Sequence, residues 1–159
     1  MSNNFVIVQT AQTITRPADT TAYATTDVIT GTTPSALIFS SLTLRRLEYA
    51  YLTRASLATN NILHTTTTRL FLFNSLPVVQ ADNASFGLSA NVIGFVDFPA
   101  HITSGAGLSV ASFSEAVIAI PRPFQLVNGT IWGVLTTTAI FTPIASGTFN
   151  VTLTFEVSD

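Results

Sequence analysis

Residues 148–157 alternate strictly between apolar and polar side chains, and this pattern constrains the fold more than any other feature of the sequence. The odd positions carry Phe, Val, Leu, Phe and Val, and the even positions carry Thr, Asn, Thr, Thr and Glu. Successive side chains of a β-strand point to opposite faces, so the pattern predicts a strand with one face on a core and the other toward water or a partner. At about 3.3 Å per residue it would be about 33 Å long.

Five further segments are rich in apolar, β-branched or aromatic residues. Residues 69–73 are apolar at both parities, which predicts a central strand covered on both faces. Residues 92–98 and 116–120 predict two more strands. Asn128-Gly129 separates two β-prone runs and predicts a two-residue hairpin, because both turn residues adopt positive φ readily.

The apolar face changes parity within residues 42–53, and this change at Arg45-Arg46 predicts a bulge or a break. No segment sustains a helical stripe over three turns, and only a single turn after Asp82, capped by that residue, is expected to be helical. We therefore predict an all-β protein, an antiparallel β-sandwich with about eight strands. Residues 27–159 form its single domain, and residues 1–26 form an extended N-terminal arm or part of the sandwich.

The chain is unusually poor in charge. Only 9% of its 159 residues are Asp, Glu, Lys or Arg, against about 25% in an ordinary soluble domain. A net charge of −2 argues against a nucleic-acid surface, because phosphate binding needs clustered Lys and Arg. With no cysteine, neither a disulfide nor a thiolate zinc site is possible. Residues 123–155 carry no charge after Arg122, but prolines, threonines and Asn-Gly interrupt them, so a membrane span is not predicted.

The sequence offers no convincing catalytic or metal site. His64 and His101 have no metal-ligating neighbours at useful spacing, and a structural role on a loop is favoured for His64. The aspartates lack the calcium-loop spacing, and Asp82 is better explained as a cap. No serine lies in a G-x-S-x-G motif. We predict that the protein is not an enzyme and has no catalytic residues, no metal and no cofactor.

Hydroxyl groups replace the missing charge, with 26 Thr and 14 Ser in the chain. A neutral hydroxyl is cheaper to desolvate than an ionised group, because one partner hydrogen bond replaces its water. A surface of this kind suits lasting protein–protein contacts that are insensitive to salt. The composition therefore predicts a component of an assembly.

A few charged and aromatic residues are candidates for contacts with a partner. The pair Arg45-Arg46 is a local positive cluster, too small for nucleic acid, that suits Glu48 or a partner's carboxylate. Tyr49 and Tyr51, with Trp132, suit either a sugar-binding platform or packing in a core or an interface. The predicted interaction residues are Arg16, Arg45, Arg46, Tyr49 and Tyr51.

Three blocks of the sequence resemble small virion proteins of tailed bacteriophages. The first is RPADTTAYA at residues 16–24, followed by Asp27-Val28-Ile29. The second includes RLFLFN at residues 69–74, ADNASF at residues 81–86 and GFVDF at residues 94–98. The third is FTP at residues 141–143 with SGTF at residues 146–149. Together these blocks span most of the chain.

The resemblance implies a capsid decoration, or cement, protein. Such a protein would be a jelly-roll-like sandwich that associates as a homotrimer and binds the major capsid protein across capsomer junctions. It would be made in the host cytoplasm and reside on the outer capsid surface of the virion, with neither nucleic acid nor a membrane as partner. The resemblance implies no enzymatic residues.

Two other functions fit the sequence. A trimeric tail-fibre or receptor-binding head domain is also β-rich, although the coiled-coil or repeat sequence that should precede it is not found here. A carbohydrate-binding β-sandwich module would use Tyr49, Tyr51 or Trp132.

Overall fold

The computed structural model describes residues 5–42, 49–61, 64–88, 91–103, 112–118, 122–126 and 128–158. These residues contain eleven strands and no helix. The strands are β1 (Phe5–Thr15), β2 (Val28–Ile29), β3 (Leu37–Phe39), β4 (Tyr49–Thr59), β5 (Thr68–Phe73), β6 (Val92–Phe98), β7 (Ile102–Thr103), β8 (Ser112–Ala116), β9 (Arg122–Gln125), β10 (Ile131–Thr137) and β11 (Thr148–Ser158).

Two antiparallel sheets pack against each other, which confirms the predicted β-sandwich. The strand count is eleven in place of about eight. Strands β2, β3 and β7 have two or three residues each, too few for a period of two to be visible in the sequence.

The six-stranded sheet has the order β1-β11-β4-β8-β7, with β9 paired to the first half of β4. Strand β11 lies between β1 and β4 and pairs with both along nearly its whole length. Its apolar residues are all at most 1% exposed, which confirms the predicted alternation; they are Phe149, Val151, Leu153, Phe155 and Val157. This strand is the centre of the core.

The five-stranded sheet has the order β2-β10-β5-β6, and β3 also pairs with β10. Its central strand β5 is covered on both faces, as predicted. Leu70 and Leu72 lie in the core between the sheets. Phe73 lies in a second apolar cluster, in which Val79 and Phe86 from the segment between β5 and β6 are partly buried.

The predicted hairpin at Asn128-Gly129 is wrong, although the turn itself is present. Both residues have positive φ, 54° and 67°. However, β9 before the turn pairs with β4, whereas β10 after it pairs with β2, β3 and β5. The turn therefore carries the chain from one sheet to the other, because the core between the sheets buries Phe124 on one side and Ile131 on the other.

Three other sequence predictions also need comment. The strand expected at residues 116–120 shares only Ala116 with β8; residues 117–118 follow that strand, and residues 119–120 lie outside the described residues. The bulge expected at Arg45-Arg46 lies outside the described residues. Residues 5–15 of the segment predicted as an arm or as part of the sandwich form β1, which pairs with β11 over all eleven of its residues.

Candidate protein-binding face

The outer face of the six-stranded sheet is a regular surface that β1, β11, β4 and β8 form side by side. We call it the hydroxyl face and define it by the residues of β1, β11, β4 and β8 that alternate with the buried ones. These residues are Ile7, Gln9, Ala11, Thr13, Thr15, Thr148, Asn150, Thr152, Thr154, Glu156, Tyr51, Arg54, Ser56, Ala58, Phe113 and Glu115. Most carry a hydroxyl, an amide or a methyl group.

The polar side chains of the hydroxyl face hydrogen-bond to one another. Asn150 Nδ2 donates to Thr13 Oγ1 at 2.9 Å, across the β1–β11 pair. Thr152 Oγ1 donates to Asn150 Oδ1 at 3.2 Å along β11. These bonds fix the side chains in position, so a partner meets an ordered surface and less conformational entropy is lost on binding.

Charge on the hydroxyl face is confined to three residues. Arg54 and Glu115 form an ion pair with 2.7 Å between Nε and Oε1. Both side chains are well exposed, so the pair contributes little to stability. With Glu156 on β11, the face has two negative groups and one positive group.

The hydroxyl face is somewhat smaller than one side of a standard protein interface. Strands β1, β11 and β4 have eleven residues each and are about 36 Å long, whereas β8 has five residues and is about 17 Å long. At a spacing of about 4.8 Å these four strands cover ~600 Å², compared with the ~800 Å² that each partner contributes to a standard interface.

Among the predicted interaction residues whose side chains the structure describes, only Tyr51 lies on this face, where it is 37% exposed. Tyr49 begins β4, but its side chain lies outside the described part of the structure, as do Arg45 and Arg46. Trp132 lies on β10 of the other sheet and packs against the second apolar cluster. Tyr51 and Trp132 therefore do not share a sugar-binding platform.

Arg16, the remaining predicted interaction residue, is buried. Its Nη2 lies 2.9 Å from Asp82 Oδ2, and its Nε donates to the hydroxyl of Tyr23. That hydroxyl donates to Asp82 Oδ1 at 2.6 Å, and the backbone N–H of Thr30 donates to the same oxygen at 2.9 Å. Arg16 therefore makes its contacts inside the molecule. We call the group formed by Arg16, Tyr23 and Asp82 the Arg16 junction.

The Arg16 junction joins segments that are far apart in sequence. Asp82 lies on a turn, and the helical turn that it was expected to cap is not formed. Burial, and then the hydrogen bond to Asp82, raise the pKa of Tyr23 well above its usual 10, so the phenol stays a donor. The ring of Tyr23 stacks on Phe141 at 5.0 Å between centroids. Sequence periodicity could not indicate the junction, because Arg16 and Asp82 are 66 positions apart.

His64 and His101 form a second buried polar group. Their ring centroids are 4.4 Å apart, and His64 also contacts Phe141 and Phe149 edge-on. Ser112 Oγ donates its single proton to the carbonyl of Asn61 at 3.2 Å. It therefore accepts a hydrogen bond from Nδ1–H of His101, 3.1 Å away. His64 lies on a loop, as predicted.

Burial governs the protonation of both histidines. Burial, and then the neighbouring His101, lower the pKa of His64 to about 3. Burial lowers the pKa of His101 to about 4. Both rings are therefore neutral at physiological pH. Neither the ring nitrogens of His64 nor Nε2 of His101 have a hydrogen-bond partner among the described residues.

An open cleft of about 470 Å³ lies beside the start of β5 and the end of β6. It is lined by Thr67, Arg69, Asp97, Phe98, Pro99, Val117 and Thr138. Asp97 accepts two hydrogen bonds from Arg69, at 2.6 and 2.8 Å, and the guanidinium lies 4.0 Å from the ring centroid of Phe95. The charge of Arg69 is thus already paired within the chain.

The described residues offer neither a metal site nor a membrane-spanning helix. Those residues contain no group of three or more His, Asp or Glu that could hold a metal ion. They also contain no helix long and apolar enough to cross a membrane. No known family model matches the chain, and no curated protein matches it.

Proposed function

We infer that the protein is a structural component of a bacteriophage virion, which decorates the capsid and binds the major capsid protein across capsomer junctions. The hydroxyl face is the observation that supports this proposal most directly. Hydrogen bonds hold its side chains in place, and its few charged residues leave it with little net charge. Its area approaches that of one side of a standard interface. The resemblance of the sequence to small virion proteins supplies the identity of the partner.

The chemistry of the hydroxyl face suits a permanent contact. Threonine and serine hydroxyls lose little on desolvation when a partner offers one hydrogen bond each. Ion pairs weaken as salt rises, whereas a contact made by the hydroxyl and amide groups of the face, and not by its three charged residues, depends little on ionic strength. Several copies on one capsid, each spanning a joint, would stabilise the shell through effective concentration, so that each contact need not be strong.

The test compares virions that carry variant copies of the gene for this chain. The wild-type protein is expected to sediment with purified particles and to be accessible to an antibody on intact particles. Thr152→Glu places a new charge at the centre of the hydroxyl face and is expected to release the protein from the particles. The matched control is Thr25→Glu, an exposed threonine on the turn between Tyr23 and Asp27, beside the other sheet.

Thermal melting shows whether each variant is folded. If wild-type protein is missing from the particles, the virion assignment is wrong. If folded Thr152→Glu is incorporated as well as Thr25→Glu, the hydroxyl face is not the contact.

A further inference from the structure

Strand β1 has a long edge with no partner strand among the described residues. It stands at the end of the six-stranded sheet and pairs with β11 on one side only. Its eleven residues give about 36 Å of backbone. Every second N–H and C=O of that length points away from β11. Strand β3 and Gly31 approach β1, but no described strand pairs with this side of it.

Strand β1 lacks the usual protection of an edge. Natural sheets protect their edges with charged side chains, proline, bulges or very short strands. Residues 5–15 contain no charged residue and no proline, and their register with β11 is continuous. The other edges do have such features. Strand β6 carries Asp97 and has a register shift against β5, β7 has two residues, and β9 contains Arg122 and Pro123.

The inner side of β1 is also incompletely covered. Its inward residues Val6, Val8, Thr10 and Gln12 are half-buried, whereas the inward residues of the adjoining β11 are buried. On the outer side Ile7 is 70% exposed. The first half of β1 therefore presents apolar side chains on both faces of the sheet as well as a backbone edge that no described strand pairs with. One added strand would pair with that edge and place a side chain beside each of these apolar ones.

We propose that this edge binds β1 of a second copy of the chain, antiparallel, about a two-fold axis at Thr10. In this register all eleven residues pair, and Val6 lies opposite Ile14 of the second copy. Each even-numbered residue of one copy lies opposite an even-numbered residue of the other, and the same holds for the odd-numbered ones. The two sheets therefore have their buried faces on the same side. A second copy fits because a two-fold contact places the strand against itself, and an uncharged strand meets no like charge there.

The pairing would extend the hydroxyl faces of two copies into one continuous surface. Two faces that bind together gain effective concentration over one face alone. The inference goes beyond the proposed function, since it concerns how the chain binds itself, whatever else it binds. It also differs in symmetry from the homotrimer that the resemblance implies, because a three-fold contact is head-to-tail and not isologous.

Disulfide trapping tests this register directly, because the chain contains no cysteine. Across the proposed axis the two Thr10 residues are directly opposite, with Cβ atoms about 5 Å apart. Thr10→Cys is therefore expected to give a covalent dimer under mild oxidation. Thr13→Cys on the same strand is the matched control, because its two copies would be six residues or about 20 Å apart.

Sedimentation of the unmodified protein supplies a measurement that needs no variant. At high micromolar concentration the wild-type chain is expected to have the mass of a dimer, and Thr10→Lys, which places two like charges on the axis, that of a monomer. The proposal is overturned by a wild-type monomer, by a trimer that Thr10→Lys leaves intact, or by Thr13→Cys cross-linking as well as Thr10→Cys. Loss of Thr152→Glu from virions while the dimer persists bears on the capsid contact alone.

Discussion

The buried pair His64 and His101 predicts that the protein loses about 4 kcal/mol of stability between about pH 7.5 and about pH 5. Both rings are neutral in the folded state, with pKa values of about 3 and about 4. Burial is the main cause for both, because the rings lie among aromatic side chains and not in water. In the unfolded chain each ring has a pKa of about 6.5.

The sign and the size of the effect follow from proton binding. A lowered pKa in the folded state means that the unfolded chain binds protons first as pH falls. The stabilisation is therefore complete above about pH 6.5 and is lost progressively toward pH 3. At pH 5 an unfolded histidine favours its protonated form about 30-fold while the folded one stays neutral, which amounts to about 2 kcal/mol for each ring. Most carboxylates are still ionised at that pH.

Urea unfolding at the two pH values measures the loss, and His64→Phe is the matched variant. Phenylalanine keeps an aromatic ring beside Phe141 and Phe149 and cannot be protonated, so the loss should fall to about 2 kcal/mol. NMR titration of the ring protons in the wild-type protein gives the two pKa values without any substitution. Histidines that titrate near pH 6.5 in the folded protein would refute the reasoning, as would an undiminished loss in a folded His64→Phe.

Three further substitutions test the packing, each by urea unfolding at neutral pH. Asp82→Asn leaves the buried guanidinium of Arg16 with the half-exposed carboxylate of Asp19, 3.3 Å away, as its remaining counter-charge and should cost about 2–3 kcal/mol; a change below 1 kcal/mol would contradict this role. Phe149→Ala empties a fully buried site on β11 and should cost about 3–5 kcal/mol. Gly133→Ala places a Cβ only 3.0 Å from Leu70 Cδ1 and should cost about 1–3 kcal/mol, and unchanged stability would show that the core can yield there.

Strands β11 and β5 could be predicted because their pattern is local, whereas β1, which is as long as β11, lies in a segment for which no strand was predicted. Ten alternating residues indicate β11, and a run that is apolar at both odd and even positions indicates β5. Pairing between strands could not be predicted in the same way. The turn at Asn128-Gly129 has the expected backbone, yet its two flanking strands join different sheets, because burial in the core decides the partners and not the turn.

The chemical character of the candidate face could be predicted from the sequence, whereas its position on the fold could not. The excess of hydroxyls indicates a neutral surface, but only the register of β1, β11 and β4 places Thr13, Asn150 and Ala58 in one row. Arg16 shows the opposite case. As a rare charge in a charge-poor chain it was a natural choice for a surface contact, and its burial depends on Asp82, which no local pattern links to it.

The Arg16 junction also bears on what the resemblance to virion proteins can mean. The quoted blocks meet there, because Arg16 binds Asp82 and the backbones of Tyr23 and Phe141 pair. A buried ion pair that loses one partner is strongly destabilising, so these residues are needed for folding whatever the molecule binds. The blocks therefore describe how this sandwich is closed, whereas the binding that we propose concerns two other surfaces, the hydroxyl face and the edge of β1. Substitutions on those two surfaces, and not in the junction, are the ones that can separate function from fold.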